Sequence, residues 1–238
     1  MVDGRRPVRY NTALARNQLA AGDPKLALLM ERVGNFTMRL KSQHSPFEAL
    51  LEAIVYQQLN GNAAATILRR LLKSFGDIHP SPEHLLQASD DQLRAAGLST
   101  NKAKAIRDLA AKTIDGTVPS LAHIRRMPDD EIVSRLTAVR GVGPWTVEML
   151  LIFRLGRPDV FPTSDYGVRK GFALTFNKLP AGVLRRTKPF TADMLAKPEQ
   201  MLRRGERWRP WRSMASWYLW RACDLESIPL PSPTCVES

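Results

Sequence analysis

The chain has 238 residues, 44% of them hydrophobic, with 35 Lys and Arg against 23 Asp and Glu for a formal net charge of +12. That length buries a core as one large domain or two smaller lobes, and the positive field selects polyanions, with salt-sensitive binding to nucleic acid or RNA-associated assemblies as the first expectation. Two cysteines, Cys223 and Cys235, cannot supply the four thiolates of an iron–sulfur cluster or a closed structural zinc site. No apolar run reaches the roughly 18 residues of a membrane span, and neither a signal peptide nor a disulfide framework is visible. A soluble, reducing compartment is therefore expected: cytoplasm and nucleoid in a bacterium, nucleus in a eukaryote.

Residues 1–23 mix Arg5, Arg6 and Arg9 with scattered apolar side chains and lack a long period, which predicts a basic N-terminal arm. Leu26, Leu29, Met30 and Val33 then recur at helical spacing, predicting a helix over 24–40. Phe47, Leu50, Leu51, Ile54 and Val55 carry the same period to Tyr56. A polar break, Gln57-Gln58-Leu59-Asn60-Gly61, precedes a helix over 62–75 with Ile67, Leu68, Leu71 and Leu72 inward. Ser81-Pro82-Glu83 and Ser89-x-x-Gln92 both read as helix starts, the second as a capping box, and Gly97 reads as a stop. Ser99 or Thr100 caps the next helix, whose Lys102, Lys104 and Arg107 form either a solvated face or a secondary phosphate contact. A connector over 117–127 leads to Asp129, Asp130 and Glu131, acids suited to the first turn of a helix reaching Ala138.

The stretch from Leu136 to Phe172, LTAVRGVGPWTVEMLLIFRLGRPDVFPTSDYGVRKGF, organises the rest. Glycine tolerates positive φ at a turn and proline loses no hydrogen bond in a first helical turn, so Gly141-Val142-Gly143 followed by Pro144 predicts a helix-hairpin-helix over about 129–153. Outward N–H groups of such a hairpin and of the following helix suit an anion, and a DNA phosphate fits a basic protein. Asp165 follows one helix and one loop later, 22 residues after Gly143, at the start of a further helix. Beyond Phe176 a basic loop, a helix from Lys197-Pro198-Glu199 to about Arg207, and a break at Arg209-Pro210 lead to a last helix carrying Trp211, Trp217, Tyr218 and Trp220. Without sustained strand alternation, the fold class expected is all-α with about ten helices.

Gly-Val-Gly-Pro-Trp-Thr with an Asp-Tyr at this spacing resembles the helix-hairpin-helix (HhH-GPD) DNA glycosylases, and within them the 3-methyladenine DNA glycosylase II branch. The stretches FEALLEAIVYQQLNGNAAATIL and RWRPWRSMASWYLW extend the resemblance from about Phe47 to Cys223. It implies a single two-lobed helical glycosylase domain over 1–238, without an iron–sulfur cluster and without the N-terminal β domain of some members. It also implies excision of alkylated purines from double-stranded DNA, with no cofactor, no membrane and a monomer as the working form.

Residue by residue, the resemblance makes Asp165 the catalytic acid and places Trp145, Trp220, Tyr56 and Met149 around the extruded base. Met149 stands where some relatives have an aromatic residue. Gln58 and Leu59 are the candidates to fill the gap left by the base, with a one-residue register left open. Arg140, Gly141, Val142, Gly143 and Thr146 form the phosphate-binding hairpin, whose carbonyls around Arg140 and Val142 could hold a monovalent cation. Relatives that also cut the strand carry a lysine just after the hairpin; Trp145 occupies that position here, implying a monofunctional enzyme that uses water. Two other readings share the scaffold: a non-catalytic helix-hairpin-helix clamp, which needs neither Asp165 nor the aromatic set, and a glycosylase for mismatched or oxidised bases, which differs in pocket lining.

Overall fold

A computed structural model describes residues 6–41, 45–184 and 187–225; Arg5 and Cys235 lie outside them. In chain order the first elements are β1 (Arg6–Pro7), α1 (Thr12–Gly22), α2 (Pro24–Val33), β2 (Arg39–Leu40), α3 (Pro46–Tyr56) and α4 (Gly61–Lys73). Next come α5 (Pro82–Gln87), α6 (Asp90–Ala95), α7 (Thr100–Ile114), α8 (Leu121–Ile124), α9 (Asp129–Thr137) and α10 (Pro144–Leu150), which continues into a π-helical turn, Leu151–Leu155. The last are α11 (Tyr166–Phe176), α12 (Ala181–Leu184), α13 (Pro198–Gly205) and α14 (Arg212–Leu225), with short 3-10 turns at Ala192–Met194 and Glu206–Trp208. Fourteen α-helical segments among the described residues exceed the expected ten: α8, inside the expected connector, and α12 are single turns, too short to set up a period, and α1 is a longer addition.

The chain divides into two compact units: one formed by Lys41–Leu155, the other by Arg6–Leu40 with the described part of Gly156–Ser238. In the first, α3 buries Leu50, Leu51 and Ile54 completely, and Leu71, Leu85, Leu93, Ile106, Leu109, Ile132, Leu136 and Val147 complete the core. Each such side chain contributes about 1.5–3 kcal/mol of transfer free energy. Serines start α3, α5, α6 and α7, each accepting the N–H three residues on. The reciprocal capping boxes are Ser45 with Glu48 and Ser81 with His84. The Gln92 amide, expected to complete a third box, instead donates to the Ser74 carbonyl at 3.2 Å.

In the second unit α1 corrects the expected arm. Asn11 caps it, and only Ala15 and Leu19 are buried, too few apolar positions to reveal a period. Helix α2 ends at Gly34, not at Leu40, and β1 pairs antiparallel with β2, Arg6 opposite Leu40. Asp23 caps α2 and is itself fully buried. Its carboxylate accepts from Arg204 Nε and Nη2 at 2.7 and 2.6 Å and from Trp208 Nε1 at 3.0 Å. Trp208, which the sequence did not single out, packs among Phe161, Phe172 and Phe176. A cis Arg209–Pro210 peptide separates this cluster from α14.

Helices α11 and α14 meet backbone to backbone. A Cβ built on Gly171 would lie 1.9 Å from the Leu219 carbonyl oxygen, so only glycine permits the approach. The contact sets the distance between Asp165, at the head of α11, and Trp220, on α14.

Candidate active site

The hairpin of the first unit forms as expected. Helix α9 ends at Ala138, Gly141 takes φ +77°, and Gly143 is the N-cap of α10 with Pro144 at its first turn. No side chain caps α10, in contrast to the serine-started helices of the same unit. Val139 and Val142 are buried and hold the hairpin in the core, while Arg140 is exposed and Thr146 buried. Asp108 on α7 fixes the turn from behind, accepting the Arg140 N–H at 2.7 Å while Lys112 bridges both of its oxygens. Burial pushes the Asp108 carboxyl up, but these hydrogen bonds outweigh it and hold the group below the ordinary carboxylate range.

The turn after α3 is tied to the same hairpin. Gln57 Nε2 donates to the Gly141 carbonyl at 2.9 Å, and Lys102 Nζ donates to the carbonyls of Val55 and Gln57 at 2.6 and 2.8 Å. Desolvation there lowers the Lys102 pKa. Lys102 therefore seals the C-terminal end of α3 rather than forming a solvated face, and Arg107 similarly binds Asp90 and the Ala88 carbonyl. Of the three cations, Lys104 is the exposed one. Gln58, at φ +58°, and Leu59 are both exposed on the turn. A recess of about 470 Å³ lined by Gln57, Gln58, Ser99, Lys102, Arg140 and Gly141 joins turn and hairpin.

A second cavity, about 220 Å³, brings Tyr56, Trp145, Thr146 and Met149 together. Its walls follow from helical spacing: Ala49, Glu52, Ala53 and Tyr56 fall on one stripe of α3, facing Trp145, Met149 and Leu150 of α10 and Phe153 and Arg154 of the π turn. Trp145 is 46% exposed, unusual for so large an apolar ring and suited to receiving another flat ring. The π turn widens the helix beside the cavity, a distortion concentrated at functional sites. Lys41, Glu52 and Arg154 also line the cavity, and sequence spacing could not have found them, because Glu52 and Arg154 are paired across 102 positions.

Asp165 belongs to the second unit, as does Trp220. Asp165 is the N-cap of α11: its Oδ1 accepts the Val168 N–H at 2.7 Å and the Trp220 indole N–H, also at 2.7 Å. Two donors, one from each of the helices that meet at Gly171, thus converge on Oδ1 of the half-buried carboxylate. Arg169, one turn into α11, donates its Nε to the Ala196 carbonyl at 2.9 Å.

Among the described residues no group of three or more His, Cys, Asp or Glu could hold a metal ion. At the hairpin, the Val139 carbonyl accepts the Val142 N–H and the Gly141 carbonyl accepts Gln57. Each carbonyl oxygen has a second lone pair, so a monovalent cation at Arg140 and Val142 is compatible with the arrangement. It would offset carbonyl dipoles beside a phosphate. Among the described residues no helix is long and apolar enough to cross a membrane.

An uncapped helix start behind a glycine hairpin, an aromatic cavity beside it, and a carboxylate fixed at the head of another helix define a class. The chain belongs to the HhH-GPD superfamily of base excision DNA repair proteins, whose family model matches residues 51–179. Within it the chain groups with the DNA-3-methyladenine glycosylases. It is 32% identical over 219 residues to DNA-3-methyladenine glycosylase 1 of Schizosaccharomyces pombe, covering 91% of this chain and 90% of that one. The solved structure of the S. pombe 3-methyladenine DNA glycosylase in complex with abasic DNA superposes with a TM-score of 0.72 at 31% identity, covering 91% of this chain and 100% of that one. A DNA-3-methyladenine glycosidase from Bacillus halodurans superposes with a TM-score of 0.77 at 27% identity, covering 93% of each chain.

Proposed function

We propose that this protein is a monofunctional DNA glycosylase that excises alkylated purines of the 3-methyladenine and 7-methylguanine type from double-stranded DNA, opening base excision repair. The observation that carries the mechanism is the fixation of Asp165 by Val168 and Trp220. Stacked in a duplex the target bond is out of reach, so the nucleotide is turned out of the helix. Gln58 or Leu59 fills the gap, offsetting unstacking that costs a few kcal/mol. The hairpin N–H groups and the start of α10 bind the adjacent phosphate, and Tyr56, Trp145 and Met149 receive the base. The net charge of +12 supports a DNA partner and makes the grip salt-dependent.

An N3- or N7-alkylated purine carries positive charge and leaves without prior protonation, so the second carboxyl of ordinary glycosidases is not required. As the bond breaks, charge develops on the sugar at C1′. Asp165 stabilises it electrostatically and orients or deprotonates the attacking water. Its two hydrogen bonds hold the carboxylate in one orientation before the reaction, so little reorganisation is needed at the transition state. Trp145, where a lysine would attack C1′, leaves hydrolysis to an abasic site as the outcome.

Incubating a methylated duplex with the protein and quantifying free base tests the reading. Wild type is expected to release 3-methyladenine and leave alkali-labile sites without cutting the strand. Release by Asp165→Asn equal to wild type would overturn the assigned mechanism.

A further inference from the structure

We infer that Glu52, held by Arg154, is the residue by which the base cavity distinguishes a cationic alkylated purine from a neutral one; the inference rests on the glycosylase reading above. The walls supplied by Tyr56, Trp145, Met149 and Phe153 accept any flat ring, because stacking and thioether contacts require only area and polarisability. They favour a cation moderately and cannot alone separate a damaged base from the undamaged purines that vastly outnumber it. Beyond the greater lability of the damaged base, a polar group at the ring edge adds discrimination in binding. The lining contains five side chains with strong polar groups, Lys41, Glu52, Gln57, Thr146 and Arg154, and Glu52 is the acid among them. Gln57 is engaged by the Gly141 carbonyl, and Thr146 is buried in the wall.

Arg154 takes up one oxygen of Glu52, Oε2, and leaves Oε1 for the ring edge. Arg154, only 13% exposed, binds Glu52 Oε2 directly and fixes the carboxylate on the stripe of α3 that faces the cavity. Lys41 is 59% exposed and lies 4.0 Å from Oε1, outside hydrogen-bond range and screened by solvent. Alkylation at N3 or N7 places positive charge on the purine and makes its exocyclic N–H a stronger donor. A carboxylate at the edge therefore forms a hydrogen bond charged on both sides with the damaged base and one charged only on the acceptor side with the intact base. A carboxylate on this wall has no use in gripping phosphate in a protein of net charge +12, and that contrast separates a reading role from the general electrostatics of DNA binding.

The test compares wild type with Glu52→Gln, which keeps the shape of the side chain and an acceptor for Arg154 while removing the charge. Two readouts are taken: kcat/KM for release of 3-methyladenine from a duplex carrying that lesion, and affinity for the same duplex carrying 3-deaza-3-methyladenine, a neutral isostere that is not released. Glu52→Gln is expected to lose at least about tenfold in release, the range of a hydrogen bond to a charged group, while affinity for the neutral isostere stays within about twofold. Unchanged release overturns the inference, and so does a parallel loss of release and of affinity for the neutral isostere, which marks Glu52 as a scaffold residue. Should Glu52→Gln fail to fold, Glu52→Leu with Arg154→Met replaces the pair by apolar groups of similar size and is read by the same two outcomes. Absence of release by wild type would instead overturn the glycosylase reading itself.

Discussion

Two aspartates of the second unit have the same local architecture and different consequences. Asp23 and Asp165 each cap a helix that begins immediately after them, and each accepts an indole N–H, from Trp208 and Trp220 respectively. Asp23 additionally receives two hydrogen bonds from Arg204 and is fully buried. Burial pushes its carboxyl up, but the hydrogen bonds from Arg204 and Trp208 and the nearby charge outweigh that and leave it below its ordinary range. Asp165 accepts from Val168 and Trp220 and remains half-buried. Full burial under the Arg204 guanidinium makes Asp23 a structural anchor, whereas Asp165 stays partly open to solvent, as a carboxylate that is to meet a sugar must.

The comparison is tested most severely by exchanging stability for activity at the two positions. Asp165→Asn is expected to lower base release by at least about a hundredfold, in line with loss of a transition-state electrostatic contact, while the melting temperature changes little because asparagine also caps helices. Asp23→Ala is expected to cost about 3 kcal/mol in urea unfolding, from the lost ion pair and cap, with activity per folded molecule retained. Next in size is the pH response. The lowered Asp23 value means that its stabilisation is complete above the ordinary carboxylate pKa of about 4 and is lost as pH falls through the lower folded-state value. Melting curves between pH 5 and 2 should therefore fall more steeply for wild type than for Asp23→Ala. The smallest expected effect is that of Trp220→Phe, which removes one donor to Asp165; release should drop about tenfold with no loss of DNA affinity in a filter-binding assay.

Elements whose ends are marked by local chemistry were legible in the sequence: the helix starts at Ser81, Ser89 and Ser99, the glycine hairpin and the Pro144 start lie where their residues imply, whereas the single turn capped by Ser120 was read as connector. Asp165 was legible as both a helix cap and a candidate acid. Helix α1 was not, because two buried alanine and leucine positions do not make a period. Nor was Trp208, which differs from Trp211 and Trp217 only in what surrounds it after folding. At the cavity, Tyr56, Trp145 and Met149 were expected and come together, whereas Glu52, Arg154 and Lys41 went unnoticed. Their significance depends on a pairing across 102 positions, and charges on a helix face normally signify only solvent.

The close crossing at Gly171 has a consequence for how this protein tolerates mutation. Because main-chain atoms of α11 and α14 touch there, side chains elsewhere along the two helices are not what spaces Asp165 from Trp220. Those neighbours can drift over evolutionary time without re-aiming the acid, whereas at Gly171 even a single added methyl group would pry the helices apart.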